Sequence, residues 1–187
     1  MALQSFAWIQ SALGVIVGFS VTRIATSCVH MFAARDRIRM DWAPFAWALT
    51  VFVLLLHFAW TIALVDGGAS GWRFGSFLML LVLVLCLFAA SMLVLPNIES
   101  QADGDLAVWY EKNGRWAMPF LAGYAALAYP FDWYLVARGP TFDLAPLMLA
   151  ALALIAFFST SRRVLTGVAA LNLAGTFGML LQMIISQ

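Results

Sequence analysis

Two uninterrupted apolar runs, LTVFVLLLHFAWTIALV at 49–65 and FLMLLVLVLCLFAASMLVL at 77–95, constrain this chain more than any other feature. Neither shows the polar alternation of a strand with one wet face, so each reads as a helix. A helix needs about 20 apolar residues to cross a hydrocarbon core. Stretches of about that length recur along the sequence, at about 5–33, 43–65, 73–95, 116–138, 144–160 and 163–186. A soluble domain is about 45–50% apolar and about 25% charged, whereas this chain is 64% hydrophobic and 10% charged. One water-facing globule could not hide that much apolar surface. The expected fold class is all-α: a polytopic membrane protein whose single domain, residues 1–187, is a bundle of six transmembrane helices.

Local breakers agree with these limits. Asp41 and Pro44 open the second helix, Asp66-Gly67-Gly68 closes it, Pro96-Asn97 ends the third, and Gly139-Pro140 ends the fourth. Within the central loop, ADGDLAVWYEKNGRW reads as a short amphipathic helix started by Asp103 or Asp105. It would lay Leu106, Val108, Trp109 and Trp116 against the membrane interface. The first segment lacks a basic n-region and is expected to be retained rather than cleaved.

Basic residues set the orientation, because cytoplasmic loops collect Lys and Arg. The first, third and fifth loops hold Arg35, Arg37, Arg39, Lys112, Arg115, Arg162 and Arg163, whereas the second and fourth hold Arg73 and Arg138. Both termini are therefore expected on the non-cytoplasmic side, in a bacterial inner membrane. Trp8, Trp42, Trp72, Trp116 and Trp133 fall near helix ends, as an interfacial aromatic belt requires. The single long central loop suggests two three-helix halves, without residue-level similarity between them.

Function has to be sought among the few polar groups inside the apolar stretches. His57 lies ~20 Å along the second helix and Asp132 ~24 Å along the fourth at ~1.5 Å per residue. With Tyr129, Gln10 and Thr176 these could form one midplane layer and a proton or charge relay. The alternative is a His57 satisfied by a neighbouring helix and an Asp132 reaching Arg138 or Arg73. Arg23 shares a helical face with Ser20, Ser27 and His30. That face could line a vestibule, although Arg23 more simply snorkels to headgroups. Asn172, among Gly167, Gly175 and Gly178, points to a close helix contact and an interhelical hydrogen bond.

Other chemistries find little support. The net charge of +1 gives no field to recruit nucleic acid. Cys28 and Cys86 stand singly and read as small hydrophobes. His30 and His57 differ by ~15 Å in depth, too far apart to share one iron. The Gly68-Ala69-Ser70-Gly71 string matches the G-x-S-G of rhomboid-type intramembrane proteases, but both histidines precede it and no base follows. No cofactor, metal site or catalytic motif is expected. The leading expectation is a non-catalytic scaffold or accessory subunit that associates with lipid, with copies of itself or with other membrane subunits. The alternatives are a small-solute or ion transporter using His57 and Asp132, and a pigment-binding protein with His57 as ligand.

Overall fold

The computed structural model describes residues 2–64, 74–96, 105–135 and 144–185, apart from the side chains of 2–7, 64, 131–135 and 182–184. The chain order is α1 (Ala2–Ala33), α2 (Trp42–Leu64), α3 (Phe74–Leu93), α4 (Leu106–Lys112), α5 (Ala117–Leu135), α6 (Leu144–Phe158) and α7 (Arg162–Ile185). A single 3-10 turn, Gly114–Trp116, joins α4 to α5. The described residues form no strand beyond one isolated backbone bridge between Arg39 and Asp105.

The protein is helical, and several of its helices are of membrane-spanning length. Among the described residues four stretches, Trp8–Ala33, Trp42–Ala63, Phe74–Leu93 and Arg162–Leu181, are long and apolar enough to cross a bilayer. That is two fewer than the sequence reading expects. α6 is apolar but has 15 residues, ~22 Å at ~1.5 Å per residue against a hydrocarbon core of ~30 Å. Asp66-Gly67-Gly68, Gly139-Pro140, Asn97, Asp103, Trp72, Arg73, Arg138 and the Gly68–Gly71 string lie outside the described residues.

Helix packing forms a ring in which α2, α3, α5, α6 and α7 each touch the next and α7 returns to α2, while α1 lies outside against α2 and α3. α1, α2 and α3 are mutually packed, whereas α5, α6 and α7 meet in series, so the halves do not repeat one arrangement. Trp47, Leu55, Leu83, Leu87, Met118 and Leu121 are fully buried at the centre. α6 buries only Ala153 and Ala156, small side chains that let helix backbones approach.

At one end of the ring the loops are tied to one another. Asp41 caps α2 by accepting the Ala43 N–H at 3.0 Å, and its other oxygen pairs with Arg162 at the start of α7 at 2.8 Å. Asp105 caps α4 through the Ala107 N–H at 2.9 Å, and the Leu106 N–H donates to the Arg39 carbonyl at 3.2 Å. The first, third and fifth loops therefore share one end of the bundle. α4 forms as expected, but Leu106, expected on the membrane-facing side, is buried against the bundle. Leu106 and Tyr110 are buried, with α4 packed on α2 and the adjoining 3-10 turn packed on α3, α5 and α6, so that the two together plug the mouth of the ring and leave Val108 and Trp116 outside. The free mouth of a helical ring exposes apolar side chains, and α4 covers them.

The plug depends on Gly114. A Cβ at this position would sit 2.5 Å from Tyr110 Cδ2 and 3.0 Å from Trp109 Cζ3. Gly114→Ala should therefore cost about 1–3 kcal/mol by overpacking. A lowered thermal midpoint would show this cost, and an unchanged midpoint would mean that the Tyr110 ring is not held there.

Candidate functional site

The polar atoms inside the bundle collect where α2 meets α7. Asn172 Nδ2 donates to Thr50 Oγ1 at 2.6 Å, and the Thr50 and Thr176 hydroxyls lie 3.1 Å apart. Thr176 also donates to the Asn172 carbonyl at 2.9 Å, and Thr50 lies 3.1 Å from the Ala46 carbonyl. Each hydroxyl has a single proton. Thr50 can donate to Thr176 or to the Ala46 carbonyl, and either choice leaves both hydroxyl protons of the cluster bonded. All three residues are buried and neutral. Such a network holds two helices together but offers no group that titrates near neutral pH.

The expected interhelical bond of Asn172 is present, although the neighbouring glycines take no part in it. Gly167, Gly175 and Gly178 are exposed, and an added Cβ would meet nothing within 4 Å. Thr50, the partner of Asn172, was missed because a lone threonine in an apolar run usually bonds back to its own helix.

The other polar candidates are not gathered into one layer. Gln10 donates to the Ile62 carbonyl at 2.9 Å, ~18 Å along α2 from Thr50 at ~1.5 Å per residue. His57 is half-buried between these levels, and its carbonyl accepts from Thr61 at 2.9 Å. Its neighbours Phe58, buried, and Trp60, exposed, face opposite ways, as residues two apart on a helix must. They cannot flank one flat ring. Tyr129 is half-buried on α5. The side chain of Asp132 lies outside the described residues, and among those described α3 stands between α2 and α5.

Arg23 reaches neither a vestibule nor the core. Its guanidinium donates to the Leu95 carbonyl, 3.3 Å away, just beyond the end of α3, where the last turn leaves carbonyls unpaired and the helix dipole favours a cation. Ser20 and Ser27, on the same face of α1, are buried against the bundle, Ser20 bonding back to the Ile16 carbonyl at 2.8 Å. Cys28 and Cys86 are half-buried free thiols. Among the described residues no three His, Cys, Asp or Glu side chains are placed to hold a metal ion.

Tyr110, which carried no weight in the sequence reading, is the buried ionisable group of the plug. Its hydroxyl is shut from solvent without a hydrogen-bond partner, and burial holds its phenol well above the usual range. Its only signal in the sequence was its position on the inner face of the short central helix.

With this geometry established, comparison adds no relative: no family model, no curated protein and no solved structure matches the chain.

Two measurements follow from these groups. A double-mutant cycle between Thr50→Val and Asn172→Leu should return a coupling of roughly 0.6–1.7 kcal/mol, as interhelical bonds in membranes do; purely additive effects would mean that the bond contributes nothing. Tyr110 gives a pH effect. The unfolded phenol ionises near pH ~10 while the folded one does not, so stability is full below that pH and falls as pH rises above it. Tyr110→Phe should flatten the drop in thermal midpoint between about pH 9 and 11. An unaltered drop would place the proton loss elsewhere.

Proposed function

We propose that the chain is a multi-pass membrane protein acting as a non-catalytic scaffold or accessory subunit, assembled with copies of itself or with other membrane chains. The reading rests on the distribution of polar atoms. Apart from the phenols of Tyr110 and Tyr124, every buried polar residue among those described is Ser, Thr or Asn, and none is acidic or basic. Transport and intramembrane catalysis place ionisable groups inside the bundle, and the described interior holds its polar atoms in a neutral network instead.

The outward surface supports assembly. Gly14 and Gly18 on α1, and Gly167, Gly175 and Gly178 on α7, open onto space rather than onto a neighbouring helix of this chain. Small residues at these spacings let a second helix approach closely. In this proposal α5 and α6 complete six crossings. The end where the Arg39, Asp105 and Arg162 segments meet faces the cytoplasm, which leaves both termini outside, in a bacterial inner membrane. Across 34–41, 105–116 and 159–163 this end holds seven basic residues against four acidic ones, the bias that cytoplasmic loops show.

Native mass spectrometry of the detergent-extracted protein tests the reading. Species heavier than the 20.5 kDa monomer are expected. They should decline in a Gly175→Leu/Gly178→Leu variant whose thermal midpoint is unchanged, because those positions face away from the fold. A spectrum of monomer alone would overturn the proposal, as would solute flux in proteoliposomes that His57→Ala abolishes.

A further inference from the structure

The plugged end of the bundle contains a cavity of about 300 Å³ between α4, the 3-10 turn and the junction of α6 with α7. Its walls include Tyr110, Glu111, Lys112, Arg115, Ser159 and Thr160. That volume lies at the lower end of small-molecule sites, which span about 300–1,000 Å³. Neither Lys112 nor Arg115 forms an ion pair among the described residues. Two of the wall residues also hold polar atoms with no partner: the Tyr110 hydroxyl and Arg115 Nε are both closed to solvent and bonded to nothing. A buried donor without an acceptor costs free energy. Both atoms are covered by protein and lie behind the cavity wall, so the groups that can meet an occupant are the exposed Lys112 and the partly exposed Arg115.

A shallow, open apolar surface adjoins the cavity and shares Ser159 with it. Its other residues are Leu154, Ile155, Phe158 and Val164, all large, exposed and apolar. A cavity with Lys112 and Arg115 among its mostly apolar walls thus adjoins, at Ser159, a shallow apolar surface on the outer flank of α6 and α7. An ion alone would use the first and leave the second empty, and a hydrocarbon alone would do the reverse. A molecule with a charged head and an oily tail fills both.

We propose that this end of the bundle binds one glycerophospholipid, its phosphodiester beside Lys112 and Arg115 and one acyl chain along the Leu154, Ile155, Phe158 and Val164 flank. The charges are consistent with this choice. Two cations and the Glu111 carboxylate leave the wall with one net positive charge, matching the single negative charge of a phosphodiester. Glu111 disfavours a doubly charged phosphomonoester. The surrounding basic loops and the exposed Trp116, whose ring packs edge-on against Phe157 with centroids 5.3 Å apart, suit headgroup depth. The proposal does not depend on whether the chain scaffolds a partner.

The test uses the full chain, delipidated in detergent and titrated in native mass spectrometry with three probes: diheptanoyl phosphatidylglycerol, diheptanoyl glycerol and inorganic phosphate. The phospholipid should bind at one site, at least roughly tenfold more tightly than either other probe, given the strength of charge-assisted hydrogen bonds. A Lys112→Gln/Arg115→Gln variant should lose that tenfold advantage, and Val164→Trp, which covers the apolar surface from an exposed position, should weaken the phospholipid while leaving inorganic phosphate unaffected. Equal binding of diheptanoyl glycerol would remove the headgroup site. Equal binding of inorganic phosphate would reduce the cavity to a phosphate site and overturn the lipid assignment. The wild-type titrations decide between these outcomes even if the double variant fails to fold.

Discussion

A peptide group surrounded by hydrocarbon has no water to bond to, and this constraint orders the rest of the molecule. Helices satisfy it within a single segment, so the long apolar runs become α1, α2, α3 and α7, and the difficulty moves to the helix ends, where four N–H and four C=O groups each lack an intrahelical partner. The charged residues with described contacts gather mostly there. Asp41 and Asp105 accept from the first turns of α2 and α4, and Arg23 donates to the Leu95 carbonyl just past the end of α3. Charge in this protein mainly ends helices.

The same segments close the end of the bundle. Asp41 both caps α2 and grips Arg162, and Arg39 holds α4 through its carbonyl. α4 is thus tied to the first loop with Tyr110 buried, and Gly114 leaves room for the ring. An ion pair with one exposed partner, such as Asp41–Arg162, contributes little on its own. Its effect here is geometric, because it joins the start of α7 to the start of α2, the same two helices that Thr50, Asn172 and Thr176 join further along. Two weak links at different depths fix the angle between these helices better than one stronger link would.

Much of this was legible in the residues. Run length and breakers placed α1, α2 and α3 to within a few residues, because hydrophobic length in a membrane is a local property. Asp41 as the opening of α2 and Asn172 as an interhelical donor could be read for the same reason: each is a polar group whose surroundings leave few alternatives. The Thr50 partner, the inward turn of α4 and the carbonyl bond of Arg23 could not be read, because each depends on which helix stands beside which. Depth along the chain had placed Thr176, Gln10 and His57 in one layer, but the packing separates them. Depth is one coordinate, and contact needs three.

The sequence by itself determined that the chain is helical, where most helices begin and end, and that scarcely any charge sits within them, since the transfer cost of each residue into oil is set by its own side chain and its near neighbours. Only the tertiary structure decided that α2 packs on α7 and is separated from α5, that the glycines of α1 and α7 face outward, and that the cavity beside Lys112 and Arg115 meets an exposed apolar flank at Ser159. These features arise from the order of helices around the ring. That order follows from shape complementarity between surfaces far apart in sequence, which no single stretch of residues encodes.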